Sequence, residues 1–379
     1  MDITSEQTRK LLPRVNPSLQ TFAGVTHTLS ILESFEKETK PWRMENYIVL
    51  QANVIKAFGG QVFMNFYTLP NLFDHGNPEI QARNYYCPYF NVYSIPIKDY
   101  AEKVFNPVIG SIINFIDDGC YVELPIDLFA IERFNMPGHF LHTPLIYGYD
   151  KNEQVFYMSD FANEKKYEEM ICTFEEIEDA FNSGLNMAKN NTDPLTVSIF
   201  AKSINIVKYH PYNHEFDIKR FCEQIYDQIH PGKSTQYYRK YELVDKYSEK
   251  YWGTDIYDAL EESIKYSHAK GEIYDNLRPF HLIYDHKKGL SERFVYCSQL
   301  FTDKQKDILT LSENMKELAN DAEELRNKIV KNRMRKKLSD QELCMHRLKD
   351  IKNREVLILT EFLELFSEVM KTESGMAEK

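Results

Sequence analysis

The sequence predicts an α+β protein that folds into more than one domain. Its 379 residues exceed what one hydrophobic core holds, because single cores stop growing at roughly 250–300 residues. The first half contains short aromatic and β-branched stretches separated by glycine and proline, which is typical of strands and turns. In the second half, apolar residues recur three and four positions apart, which indicates amphipathic helices.

In the first half, residues 24–35 space their apolar side chains like a short helix, and a second helix is expected at 108–117. Thr173 and Glu176 have the spacing of a capping box, in which each side chain binds the free backbone N–H of the other, so a further helix is predicted to begin there. The expected strand regions are 47–54, 61–67, 89–96, 120–126, 140–149 and 196–209.

The second half is predicted to be helical from 214 to 294 and to end in a helical hairpin. A three-four spacing kept for three heptads indicates a coiled-coil-like seam formed by Ile308, Leu311, Met315, Leu318, Ala322, Leu325 and Ile329. A second capping box at Ser339 precedes another apolar stripe, from Leu348 to Val369. We expect the two stripes to cover each other, with a homodimer through the same helices as the competing arrangement.

The composition is that of a globular protein and argues against several classes of function. Hydrophobic residues make up 43% of the chain and charged residues 27%. The formal charge of −11 disfavours nucleic-acid binding, which needs clustered lysine and arginine. The start lacks the basic and apolar segments of a signal peptide, and no run reaches ~18 apolar residues, so we expect a cytoplasmic protein that does not span a membrane. The six cysteines show no Cys-x-x-Cys spacing, and we predict neither a metal nor a cofactor.

Two smaller features are assigned simple roles. The basic stretch at 331–337 is interpreted as a solvated turn at the hairpin tip, rather than a contact for an acidic partner or RNA. His281 and Asp285, four residues apart, are interpreted as a helix-stabilising pair rather than metal ligands.

The chemistry of the chain is expected at a hairpin formed by residues 139–160. Two apolar strands flank a polar turn, and a turn centred on Lys151 places His142 directly opposite Asp160. Opposed Cβ atoms lie about 4.5–5.5 Å apart, close enough for the carboxylate to accept the imidazole Nδ1–H and leave Nε2 as a base. An ordinary hairpin with a satisfied histidine explains the same residues, and the geometry alone favours that simpler interpretation.

Several segments resemble the N-terminal domain of the butirosin biosynthesis protein H family, which has a C39-like papain fold. The pattern His-x5-Gly-Tyr-Asp that begins at His142, followed by a strand ending in Asp160, resembles the catalytic histidine of that fold and its orienting acid. The other matching segments are Lys40-Pro41-Trp42 with Asn46-Tyr47-Ile48, Cys87-Pro88-Tyr89, Gly119-Cys120-Tyr121-Val122 with Asp127, and Arg278-Pro279-Phe280-His281 with Asp285-His286-Lys287. The resemblance spans most of residues 20–295.

The cysteine nucleophile that this resemblance implies is missing from its expected position. In the family it opens the first core helix, where the helix dipole stabilises the thiolate, and the matching place here is near Gly24. No cysteine precedes Cys87, and the nearby hydroxyls of Thr21, Thr26 and Thr28 are harder to deprotonate than a thiol.

Other residues near the missing nucleophile are also assigned structural roles. Cys87 and Cys120 are interpreted as core thiols, because one precedes a proline and the other enters a strand, so neither opens a helix. His27, which lies beside the threonines, is assigned to the helix surface.

We therefore predict a papain-like domain at 1–205, a helical domain at 206–298 and a C-terminal helical hairpin at 299–379. The resemblance implies a role in specialised-metabolite or modified-peptide biosynthesis. The chain is expected to be a degenerate domain that binds a peptide or an acyl-carrier protein without thiol catalysis. The alternative is an active acyltransferase or amide-bond hydrolase in which His142 and Asp160 work with another nucleophile.

Overall fold

The protein is an α+β structure with antiparallel sheets and C-terminal helices, as predicted. The computed structural model describes residues 7–20, 23–55, 61–66, 87–97, 99–100, 107–162, 166–190, 203–231, 248–274, 276–335 and 341–371. The chain divides into two compact units, each of which is discontinuous in sequence. Unit 1 contains Met1–Thr39 and Asn71–Asn213, and unit 2 contains Lys40–Pro70 and His214–Lys379.

This division differs from the three predicted domains in two respects. The strands within 40–70 join the second half of the chain, because they pair and pack with elements from that half. The C-terminal helices also belong to unit 2 instead of forming a separate hairpin, so the predicted boundary at 298 falls inside a compact unit.

Strands and helices occur in both units. The strands are β1 (Arg9–Leu11), β2 (Leu50–Ile55), β3 (Gln61–Phe66), β4 (Phe90–Pro96), β5 (Cys120–Glu123), β6 (Ile126–Asp127), β7 (Leu141–His142), β8 (Leu145–Asp150), β9 (Val155–Phe161), β10 (Tyr167–Thr173), β11 (Ser203–Tyr209) and β12 (Ser248–Trp252). The helices are α1 (Ala23–Leu32), α2 (Glu36–Glu45), α3 (Val108–Asp117), α4 (Phe174–Asn190), α5 (Ile218–Ile229), α6 (Ile256–Ala269), α7 (Arg278–Leu300), α8 (Gln305–Arg335), α9 (Gln341–Leu365) and α10 (Ser367–Lys371).

In unit 1 the described strands form one large sheet and one short pair. The sheet has the order β10-β9-β8-β5-β11-β4, with β1 also paired to β8, and every pairing is antiparallel. The short pair consists of β6 and β7. Helix α1 packs against β9, and α4 packs against β6.

The local sequence signals of unit 1 are confirmed in three places. Helix α1 covers most of the predicted 24–35, and α3 occupies the predicted 108–117 and is followed by Gly119 in the left-handed region, with a φ of 78°. At the start of α4 the N–H of Thr173 donates to Glu176 Oε2 at 2.7 Å, and the N–H of Glu176 donates to Thr173 Oγ1 at 3.1 Å. The capping box is therefore formed.

Strands β8 and β9 form an antiparallel hairpin whose register differs from the predicted one. Asp150 pairs with Val155, so the turn comprises residues 151–154. Asp150 Oδ1 accepts the backbone N–H groups of Asn152 and Glu153 at 2.9 and 3.2 Å, which fixes this longer turn.

His142 lies outside the β8–β9 ladder. It belongs to β7, where it pairs with Ile126 of β6, and Thr143 and Pro144 separate it from β8. The prediction that His142 and Asp160 pair directly across the β8–β9 hairpin is therefore wrong. The strand is interrupted near Pro144, and the turn is longer than the sequence argument assumed.

Strand β1 covers β8 at Gly148. Leu11 pairs with Gly148 across this ladder, next to a register shift between Ile146 and Gly148 in the β8–β9 pairing. A Cβ atom at position 148 would lie 2.7 Å from the backbone oxygen of Lys10, so the close approach of β1 requires glycine there.

Unit 2 combines a small sheet with the helices of the second half. Its described strands pair in the order β12-β2-β3, and both pairings are antiparallel. Strand β12 is not among the predicted elements, because 214–294 has mainly helical spacing and the partner β2 is distant in sequence. Helices α5 and α6 lie in the range that the sequence predicts to be helical, and α7 begins in this range and ends beyond it, at Leu300.

The predicted seam lies on α8, and its seven residues are buried. Helix α8 packs most extensively against α7 and also packs against α9. On α9, Phe362 stacks on Phe294 of α7 with ring centroids 4.5 Å apart. The apolar stripes are thus covered within one chain, by each other and by α7. The predicted cap at Ser339 and the basic residues 336–337 lie outside the described residues.

Five buried polar side chains form a network among the helices of unit 2. Glu355 of α9 accepts hydrogen bonds from Lys287 Nζ at 2.6 Å and Gln228 Nε2 at 3.0 Å. It also accepts one from the Tyr257 hydroxyl at 2.7 Å, and Lys287 donates to His286 Nδ1 at 2.8 Å. Burial lowers the pKa of Lys287, although the charge of Glu355 and the hydrogen bond to it act in the opposite direction. The network joins α9 to α5, α6 and α7.

We expect Glu355→Leu to lower the free energy of unfolding of unit 2 by about 3–5 kcal/mol, because it leaves the buried ammonium of Lys287 without its partner. Both tryptophans of the chain, Trp42 and Trp252, are buried in unit 2, so urea unfolding followed by tryptophan fluorescence measures this unit.

Lys352→Ala is the matched control for that measurement. Lys352 binds Asp258 at 2.8 Å between the same two helices, α9 and α6, but this pair is partly exposed. Its loss should change the free energy of unfolding by less than about 1 kcal/mol. If Glu355→Leu and Lys352→Ala lowered the free energy of unfolding equally, the buried network would contribute no more to stability than the partly exposed pair.

Candidate functional site

His142 and Asp160 form a hydrogen-bonded pair at the edge of the unit 1 core. His142 Nδ1 lies 2.7 Å from Asp160 Oδ2. The carboxylate is fully buried, whereas the imidazole is 20% exposed. The contact proposed from the sequence therefore exists, although β7 and β9 reach it without the assumed register. An ionised Asp160 accepts the Nδ1–H and leaves Nε2 of His142 as the basic nitrogen.

The surroundings of Asp160 favour its charged form. Burial alone would raise the pKa of this carboxyl, but the charge and hydrogen bond of His142, the charge of His27 and the backbone N–H of Phe161 together lower it below its usual value. The Phe161 N–H donates to Asp160 Oδ1 at 2.7 Å. Asp160 is therefore ionised at neutral pH and orients the His142 ring.

His27 lies inside unit 1, and its assignment to the helix surface is wrong. Its side chain is fully buried, with Nδ1 at 3.0 Å from Glu123 Oε1 and Nε2 at 3.9 Å from Asp160 Oδ1. Glu123 Oε2 in turn accepts a hydrogen bond from Asn205 Nδ2 at 2.8 Å. A line of polar groups thus runs from His142 through Asp160, His27 and Glu123 to Asn205.

The sequence contained a signal for the burial of His27. Residues 24–32 include no charged side chain, and nearly every residue of α1 is buried. A helix without a charged face is typically buried on all sides. The partner Glu123 could not be inferred in this way, because it lies 96 residues later on β5.

The position expected for a nucleophile, near Gly24, is followed in α1 by the buried residues Thr26 and Thr28. The Thr28 hydroxyl donates to the Gly24 backbone oxygen at 2.9 Å. The Thr26 hydroxyl is buried and has no hydrogen-bond partner among the described atoms. Thr21 lies outside the described residues. Within the described part of unit 1, no hydrogen bond joins Thr26 or Thr28 to His142.

A second histidine–aspartate pair lies three residues before His142 and was not predicted. His139 Nδ1 lies 2.6 Å from Asp127 Oδ2, and Ser183 Oγ donates to the same oxygen at 2.7 Å. Asp127 Oδ1 accepts the backbone N–H groups of Phe129 and Phe140. Burial raises the pKa of the Asp127 carboxyl, but these hydrogen bonds outweigh it and lower the pKa below the usual value.

Asp127 thereby organises a patch that we call the aromatic surface, consisting of Phe129, His139, Phe140 and His142. The rings of Phe129 and His139 lie 4.7 Å apart, and those of Phe140 and His142 lie 5.7 Å apart. Phe129 and His139 are exposed, and Phe140 and His142 are half-buried. Its two ring pairs present apolar faces and imidazole groups, and His142 of the second pair is bound to Asp160.

The six cysteines are buried. Burial raises the pKa of Cys87, Cys172 and Cys222 to about 12. It also raises the pKa of Cys120 and Cys297. No hydrogen bond between a cysteine and His142 exists in the described part of the chain.

The described residues contain no group of three or more histidine, cysteine, aspartate or glutamate side chains arranged to hold a metal ion. His281 Nε2 and Asp285 Oδ2 lie 3.8 Å apart on α7, and Arg326 of α8 donates to His281 Nδ1 at 3.0 Å. Among the described helices, none has a stretch apolar enough and long enough to cross a bilayer.

Comparison with known proteins found no family model that matches the chain, and no curated protein matches it.

We expect Cys87, Cys172 and Cys222 of the native protein to react slowly with iodoacetamide at pH 7. Raising a thiol pKa from 9.0 to about 12 lowers the thiolate fraction, so alkylation should be at least about 100-fold slower than in the urea-unfolded chain. Mass spectrometry of timed samples measures each cysteine. A single thiol that reacts fast below about pH 7 and slows in His142→Ala would instead indicate a thiol enzyme.

Unit 1 should lose stability in acid partly through Asp160. Because its folded-state pKa lies below the unfolded-state value, the ionised carboxylate stabilises unit 1 above about pH 4, and this contribution disappears as the pH falls through the lowered pKa. Hydrogen exchange of peptides from β8 and β9 measures this loss of stability between pH 7 and 3. The rates are corrected for the pH dependence of intrinsic exchange. In Asp160→Asn, the stability of unit 1 should depend less steeply on pH. A pH dependence as steep as that of the native protein would contradict the role assigned to Asp160.

Proposed function

We propose that unit 1 is a degenerate papain-like domain that binds a peptide or an acyl-carrier protein in specialised-metabolite or modified-peptide biosynthesis, without thiol catalysis. One observation carries this proposal. An oriented and partly exposed imidazole, His142, is retained on Asp160, while every cysteine is buried and five of them have a raised pKa.

The arrangement of unit 1 supports a papain-like fold. An early helix, α1, packs on an antiparallel sheet, and it contacts β9, the strand that carries Asp160. The histidine and its acid come from two β-segments that follow this helix in the chain. These features match the order helix, histidine, acid that the family resemblance implies.

The aromatic surface is the part of unit 1 that we assign to binding. Phe129 is 47% exposed, and its ring lies 4.7 Å from that of His139. An acyl chain or an apolar peptide side chain can pack on the rings of Phe129 and Phe140. A carbonyl or amide of the same ligand would then lie within reach of the His142 imidazole.

We expect the full chain to bind a carrier protein loaded with an octanoyl phosphopantetheine arm, or apolar peptides, through this surface. Phe129→Ala should weaken binding about tenfold, because large aromatic side chains are common energetic centres of interfaces. Fluorescence anisotropy with labelled carrier protein or peptide measures the affinity. Tyr93→Ala is the control, since Tyr93 is an exposed aromatic residue on β4. The proposal fails if neither probe binds, or if both variants weaken binding equally.

A catalytic role is the second candidate, and the His142–Asp160 geometry favours it. A general base needs an oriented imidazole with an accessible nitrogen, which this pair supplies. In that case His142 would take a proton from water or from an acceptor hydroxyl as that oxygen attacks the thioester carbon, and the proton would pass to the phosphopantetheine thiolate that leaves when the C–S bond breaks. Intact-mass measurement of the carrier protein distinguishes the two functions. Release of the acyl group by the native protein but not by His142→Ala would replace the binding role with an acyltransferase or hydrolase role.

A further inference from the structure

Asp160 is shared by two imidazoles, and the second one is His27. His27 Nε2 is buried without a hydrogen-bond partner among the described atoms and lies 3.9 Å from Asp160 Oδ1. The other ring nitrogen is 3.0 Å from Glu123. His27 therefore sits between two buried carboxylates, neither of which is exposed to solvent.

This position favours an imidazolium at His27. A neutral imidazole has one N–H, and using it on Glu123 would turn the Nε2 lone pair towards the Asp160 carboxylate. With both nitrogens protonated, the ring donates to Glu123 and offers a positive charge to Asp160. Asn205 donates to the other oxygen of Glu123, which supports the charged form of that carboxylate.

The Asp127 carboxylate shows why Asp160 depends on such a charge. Asp127 accepts hydrogen bonds from His139, the Ser183 hydroxyl and the N–H groups of Phe129 and Phe140. Asp160 accepts described hydrogen bonds from His142 and the Phe161 N–H. Both carboxylates are fully buried, and Asp160 accepts fewer hydrogen bonds than Asp127, so the charge of His27 adds to the stabilisation of its ionised form.

The charge of Asp160 determines which nitrogen of His142 carries the proton. An ionised carboxylate can only accept, so Nδ1 holds the proton and the lone pair is on Nε2. A protonated carboxyl donates to Nδ1 instead, and the proton of a neutral His142 then resides on Nε2. In that second form the ring has no basic nitrogen directed away from Asp160.

We propose that His27, held as an imidazolium by Glu123, is a positioning residue that keeps Asp160 ionised and thereby fixes His142 as the Nδ1–H tautomer. The groups that face Asp160 are His142 from β7, His27 from α1, the N–H of Phe161 and the buried Tyr167 of β10, whose ring lies 5.6 Å from that of His27. The proposal rests on the proposed function only in taking His142 as the working imidazole. The test of this proposal requires no ligand. The proposal about His27 and the proposed binding function can therefore fail independently of each other.

The tautomers are measured by long-range proton–nitrogen correlation spectra of the full chain labelled with ¹⁵N-histidine, at a pH above the titration of His142. In the native protein we expect His142 as the Nδ1–H tautomer and His27 with both nitrogens protonated at pH 7. In His27→Gln and in Glu123→Gln, the population of His142 should shift to the Nε2–H tautomer.

His139 is the internal control, because it has the same type of aspartate partner without a second histidine. Its tautomer should be unchanged in both variants. Asp160→Asn is the positive control, since the asparagine amide donates to Nδ1 and forces the Nε2–H tautomer. If that variant shifts His142 while folded His27→Gln and Glu123→Gln do not, the proposal is overturned. A neutral His27 in the native protein at pH 7 overturns it without any variant.

Discussion

The carboxylate of Asp160 has to remain charged inside unit 1, and the placement of the polar groups around it follows from that requirement. An isolated buried carboxylate is destabilised by several kcal/mol unless it is paired and hydrogen-bonded. The groups that compensate come from its own strand, from β7 and from α1. This need explains why a helix without charged side chains brings an imidazole into the core, and why β5 places Glu123 on the far side of that imidazole.

Unit 2 meets the same electrostatic requirement in a different way. Glu355 is neutralised by Lys287, and the whole network is closed to solvent. In unit 1, by contrast, the line of polar groups ends at His142, which is partly exposed. A buried charge linked to the surface through an imidazole can exchange protons with a bound molecule, whereas a closed network can only hold helices together. This difference makes the unit 1 cluster the functional candidate.

Local signals in the sequence were sufficient where neighbouring residues decide the structure. The Thr173–Glu176 box and the helix at 108–117 depend on residues a few positions apart, and both are confirmed. The His142–Asp160 contact was also predicted, but on the wrong register, because a short β7 and a longer turn cannot be read from alternation alone. His27 and strand β12 were missed because their partners, Glu123 and β2, are far away in sequence. The family resemblance stays a prediction.

The discontinuous units have a consequence for synthesis on the ribosome, where the chain emerges from its N-terminus. Leu50 of β2 donates its backbone N–H to the side chain of Gln228, which is 178 residues later. The strands β2 and β3 therefore leave the ribosome long before β12 and the helices that cover them exist. Until then they have unpaired strand edges, which can pair with other chains. During translation, this early pair of strands therefore waits without its later partners until β12 and Gln228 have been made.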